Sequence, residues 1–138
     1  SSAIVKRYVQ ERGTEAVDSI FKEAEAGTAE LYFSVWNVGE VAAAFDKYER
    51  RGVINGKQTY SIFLNETARL SRSGALAIVP LTLNLISLSI KYIFKYHLYA
   101  ADAVQLAASK DSSCSKFLTA DGQLREAAIS EGIETPML

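Results

Sequence analysis

The chain is poor in cysteine, histidine and proline, with one Cys, one His and two Pro among 138 residues. Because Cys114 stands alone, no intrachain disulfide can form, and a reducing cytoplasm is the expected compartment. The same scarcity excludes a zinc site built from cysteine pairs or clustered histidines. A basic excess is also absent: the formal net charge is −1, so overall charge does not announce a nucleic-acid binder. No glycine-rich phosphate loop follows a strand-like run, which removes a nucleotide-binding reading. No secretory leader is expected, since SSAIVKRYVQERG places its basic residues after a short apolar stretch, the reverse of the secretory order. The one long uncharged run, residues 73–90, is broken by Pro80, Thr82, Asn84, Ser87 and Ser89. It reads as a buried strand followed by a buried helix, not as a membrane span. No repeat and no Gly/Pro/Ser-rich linker divides the chain, so residues 1–138 are expected to form a single domain.

What is present is a globular composition: 49% hydrophobic, 22% charged and 10% aromatic. A chain of this length buries roughly 68–70% of its unfolded surface, and its aromatic content is far from that of disordered segments. Charge is unevenly distributed, with net −3 over 1–40, +5 over 41–98 and −3 over 99–138. The basic middle reads either as an RNA-facing arm or as a solubilising surface.

Helical patterns alternate with short apolar runs. Helices are expected over Ala3–Glu11, Thr14–Ala26 with Thr14 as cap, Asn37–Arg51 with Asn37 as cap, and from Asn55 or Lys57 to Ser71. Three more follow, over about Leu83–Tyr96, Ala100–Lys110 and Gly122–Ser130. Strands are expected at LYFSV (31–35), ALAIV (75–79), KFLTA (116–120) and IETPM (133–137), with ALAIV covered on both faces. Strands separated by helices imply an α/β domain with a mostly parallel sheet. Such sheets carry their sites beyond the carboxyl ends of the strands.

Three carboxylates stand at such places. Glu40 is expected in the first turn of the helix after LYFSV, Asp102 in the first turn of the alanine-rich helix, and Asp121 directly follows KFLTA. Asp121 also suits an N-cap, and Glu40 an ordinary first-turn acid stabilised by the helix dipole. Asp102 is different: AADAVQLAA is almost wholly apolar, so an acid there needs a partner or an ion. Clustered carboxylates repel one another unless a cation lies among them, and Mg²⁺ or Mn²⁺ prefers such oxygen donors.

Four segments together resemble the PIN domain superfamily, and within it the small VapC-type ribonuclease toxins: SSAIVKRYV, SVWNVGEVAAAF, LYAADAVQLAAS and FLTADGQLREAA. The resemblance spans nearly the whole chain in order. It implies a three-layer α/β/α sandwich with a mostly parallel sheet of about four or five strands. It implies a metal-dependent endoribonuclease, the toxin of a toxin–antitoxin pair, in which Glu40, Asp102 and Asp121 hold Mg²⁺ or Mn²⁺ and Thr119 lies close by. A small antitoxin, a homodimer and an RNA substrate are the implied partners. The family's first metal-binding Asp is expected immediately before Ser1, at the end of an apolar strand of about 5–6 residues. Segments 31–35 and 116–120 are then expected to flank a strand-width gap. The alternative is a catalytically inactive PIN-like module that binds RNA or serves assembly.

Other residues have simpler expectations. Lys6 and Arg7 are read either as RNA-phosphate contacts or as solvated helix charges. Arg50 and Arg51 complement a helix C-terminus, His97 sits at a helix end, and Cys114 is inert. Trp36 and Tyr99 are read as packing residues, with base stacking as the alternative. Ser2 and Thr119 are candidates to orient a catalytic water.

Overall fold

The computed structural model describes residues 1–138. Its elements, in order, are α1 (Ser2–Val5), α2 (Thr14–Glu25), β1 (Leu31–Ser34), α3 (Val35–Arg50), α4 (Gly56–Arg72), β2 (Leu76–Val79), α5 (Leu83–Tyr96), α6 (Ala100–Asp111) and α7 (Gly122–Ser130). β1 and β2 pair in parallel, with Leu31 opposite Leu76 and Ser34 opposite Val79. The architecture is therefore helical around a small parallel sheet of two strands.

The expected strands at 116–120 and 133–137 are reduced to one parallel bridge, between Lys116 and Glu134. The reason is pairing. The segment 115–118 does not reach β1; a cleft of about 550 Å³ separates them, lined by Ile4, Phe21, Phe33, Ala108 and Phe117 among others. A strand without a neighbour to accept its hydrogen bonds is not a stable element. The expected full cover of ALAIV also fails, because Ile78 remains 37% exposed.

Local chemistry explains most boundaries. Thr82 caps α5 by accepting from Leu85 N–H, and Asn55 caps α4 by accepting from Gln58 N–H. Two caps differ from expectation. Ser34, not Asn37, is the N-cap of α3: its Oγ accepts from Trp36 N–H, while Asn37 Oδ1 accepts from Ser34 N–H to close a capping box. Gly13, at φ 91°, takes the N-cap position of α2, and Thr14 instead accepts from Glu11 N–H through its hydroxyl. The first helix is also shorter than expected, ending at Val5.

Two apolar clusters form the core. One joins Ile4, Val17, Phe21, Phe33, Phe45 and Phe63 across α1–α4 and β1. The other joins Val79 to Leu85, Leu106, Phe117 and Leu124 across α5–α7. No helix is long and apolar enough to cross a membrane.

Candidate active site

Beyond the carboxyl end of β1, the chain turns directly into α3, and the capping box sets the angle of entry. Starting α3 at Val35 moves Glu40 out of the first turn, which contains no acid. Hydrogen bonds therefore hold Glu40 in place of the helix dipole. Its Oε2 accepts from Ser1 Oγ and, at 2.8 Å, from Gln105 Nε2. Asn37 Nδ2 donates to Ser1 Oγ at 2.9 Å, and the Ser1 nitrogen donates to Gln105 Oε1 at 2.9 Å. Gln105 and Asn37 are buried, so this polar ring connects α1, α3 and α6 through desolvated donors.

Asp102 stands in the first turn of α6, as expected. The residues after it, Ala103 to Ser109, are all buried, so Asp102 sits half-buried at the head of an apolar wall. Burial pushes its pKa above the ordinary carboxylate range; the charge of Asp121 and then that of Glu40 push it in the same direction. Asp121 is the N-cap of α7, its Oδ1 accepting from Leu124 N–H at 2.8 Å. Thr119 is buried, and its hydroxyl accepts from Asp121 N–H at 3.0 Å. Ser2 Oγ accepts from Ala120 N–H at 2.9 Å, which ties this turn to the start of α1.

The three acids thus come from α3, α6 and the cap of α7 and lie close enough for Asp102 to feel both others. Their side chains do not close on one ligating point: no group of three or more Asp, Glu, His or Cys side chains is gathered tightly enough to hold a metal ion. The donor chemistry nevertheless suits a hard divalent cation. The donors are all carboxylate oxygens, and the half-buried acid has two like charges for neighbours.

Gln105 and Asn37 were not among the expected site residues. Gln105 carried a signal: it is the second polar side chain in the apolar run AADAVQLAA and follows Asp102 by three residues, on the same helix face.

Other residues fall elsewhere. Lys6 and Arg7 are neither RNA contacts nor solvated charges. Lys6 is buried and donates to Arg12 O at 2.6 Å, and Arg7 pairs with Glu66 at 2.9 Å and Asp18 at 2.8 Å while covering the Phe21 ring. Arg50 pairs with Asp46 on the same exposed helix face. His97 is the left-handed C-cap of α5, where Gln123 donates to its carbonyl. Burial pushes the Cys114 thiol up, away from the reactive thiolate. Trp36 and Tyr99 do not pack: they are 45% and 83% exposed. The buried stripe of α3 is Asn37, Val41 and Phe45, which turns Trp36 outward, and Tyr99 is the N-cap of α6, ahead of the packed face.

This order of segments, with an acid on each of three helix starts or early turns, is matched by the family model of the PIN domain over residues 1–130. The chain belongs to the PIN domain family. Compared with individual curated proteins, it returns no match. PIN domains are generally nucleases that act on RNA, which supports a ribonuclease role for this one.

Proposed function

We propose that this PIN domain is a metal-dependent endoribonuclease, the toxin of a VapC-type toxin–antitoxin pair. The observation that carries the reading is Asp102: a half-buried carboxylate raised in pKa by burial and by two further carboxylates. Glu40, Asp102 and Asp121 are the residues that would hold Mg²⁺ or Mn²⁺. When bound, such a cation activates water toward the phosphodiester and offsets charge on the departing oxygen.

The chain's own residues prepare that chemistry. Gln105, Ser1 and Asn37 orient Glu40; the α7 cap and Thr119 hold the Asp121 turn; the apolar face of α6 keeps Asp102 partly desolvated. The hydroxyls of this set are engaged, Ser1 with Glu40 and Thr119 with the Asp121 N–H, and no cysteine, histidine or lysine joins them, so the reading is direct attack by water without a covalent enzyme intermediate.

The homodimer of this reading is supported by an unpartnered stripe on α5, where Leu83, Ile90 and Phe94 are 86%, 46% and 78% exposed. Positions 83, 87, 90 and 94 follow a heptad spacing suited to helix pairing. The antitoxin would cover the carboxylates.

One observation favours the second reading, an inactive PIN-like module for RNA binding or assembly: Glu40 and Asp121 already accept hydrogen bonds from protein groups. End-labelled RNA separates the two. Internal cleavage that requires Mn²⁺ or Mg²⁺ and stops with EDTA supports the nuclease; RNA binding without cleavage under any divalent metal supports the module.

A further inference from the structure

Trp36 and Tyr99 each accompany one of the site's carboxylates. Trp36 precedes Glu40 by four residues on α3, and Tyr99 precedes Asp102 by three at the cap of α6. Residues at these spacings share one helix face. The early turns of α3 and α6 converge, as the Gln105–Glu40 hydrogen bond requires. Each carboxylate therefore has a large aromatic ring about one turn away, on the side of the helix N-terminus.

Both rings are unpartnered. They are 45% and 83% exposed, and the paired rings of the molecule are all others: Tyr8, Phe21, Phe33, Phe45, Tyr60, Phe63, Tyr92 and Tyr96. Neither the indole N–H nor the Tyr99 hydroxyl has a hydrogen-bond partner, whereas the Tyr8 and Tyr96 hydroxyls bind Glu66 and Glu131. Large aromatics left in water beside a polar centre gain most from a flat, polarisable ligand.

We propose that Trp36 and Tyr99 are stacking platforms for unpaired bases flanking the phosphodiester presented to Glu40, Asp102 and Asp121. The proposal rests on the nuclease reading for the place of the phosphodiester. Without a bound cation the acids repel an RNA backbone, so affinity at this end of the sheet needs a term that does not depend on charge. Base–aromatic stacking provides one, and it tolerates any sequence because every base has a π-face. Stacking demands splayed bases, so the substrate it selects is single-stranded, and a paired helix is excluded.

Trp36 is the molecule's sole tryptophan and reports directly on stacking. A short oligoribonucleotide, titrated without divalent metal, is expected to quench its fluorescence; an abasic oligomer of equal length and the corresponding duplex are not. Trp36→Ala and Tyr99→Ala are each expected to raise KM for RNA about tenfold or more with a smaller effect on kcat, and Trp36→Phe to restore most of the loss. Circular dichroism and Mn²⁺ affinity, read on the same samples, exclude misfolding as the cause. Metal-dependent cleavage with no quenching and unchanged KM in both alanine variants overturns stacking and leaves the nuclease standing. Quenching by RNA in a protein that never cleaves sinks the nuclease but upholds the platform. Quenching by a protein partner and not by RNA overturns the proposal.

Discussion

Gln105 Nε2 lies 2.8 Å from Glu40 Oε2, joining an amide on α6 to a carboxylate on α3 across 65 residues of sequence. Gln105 spends its other end on the Ser1 nitrogen, so the amide cannot flip without losing both bonds. It ties Oε2 of Glu40 into the polar ring, while Oε1 accepts no hydrogen bond from the protein.

Replacing Gln105 by Leu keeps the volume roughly constant and removes the donor. Mn²⁺ affinity measured by calorimetry is expected to fall about 10–100-fold, as when partners of metal ligands are removed, with RNA cleavage falling in step. Unchanged Mn²⁺ affinity in a folded variant would show that Glu40 is oriented without this bond.

Asp102→Asn is expected to leave stability unchanged or raise it. The folded-state pKa of Asp102 lies above the ordinary carboxylate value, so between the two the folded state binds more protons and stability declines as pH rises. Above that window the ionised acid carries its full cost, which the amide lacks. Denaturant melts across the acid range test this: the variant should lose that decline, and metal-dependent RNA cleavage should disappear. Failure to fold would mark Asp102 as a structural partner instead.

Glu66 links α4 to the segment after α1, accepting from Arg7 at 2.9 Å and from the Tyr8 hydroxyl at 2.6 Å. Burial raises its pKa, but the bonds from Arg7 and Tyr8 outweigh burial and hold it below the ordinary value. Its contribution is thus complete above the ordinary carboxylate pKa and is lost as pH falls through the lower folded value. Glu66→Gln is expected to cost about 1–3 kcal/mol at neutral pH, since Arg7 keeps only Asp18 as a charged partner. Urea unfolding measures it, and a variant within error of the parent would remove Glu66 from the core's polar network.

Phe94→Glu places a charge in the exposed α5 stripe, where Phe94 is 78% exposed. Light scattering is expected to show a dimer for the parent and a monomer for the variant, with thermal stability of the monomer fold retained. A parent that is monomeric at high micromolar concentration rules out pairing through α5.

Sequence alone determined what short-range chemistry controls. α5 and α7 begin and end where expected because Thr82 and Asp121 cap neighbours three residues away, and the two apolar runs at 31–34 and 76–79 became the paired strands. Asp102 was legible because an acid in an apolar run has few ways to be satisfied. The α3 cap was not, since Ser34 and Asn37 are both good caps and only the reciprocal bonding of the two assigns their roles. Tertiary structure decided the rest. KFLTA has strand composition but pairs only through one bridge to Glu134 and has no partner on its β1 side, Arg7 is a cation whose acids lie 11 and 59 residues away, and Trp36 is an apolar residue that α3 turns toward solvent. Pairing, burial and charge neutralisation each depend on a partner distant in sequence, and no local pattern specifies which partner arrives.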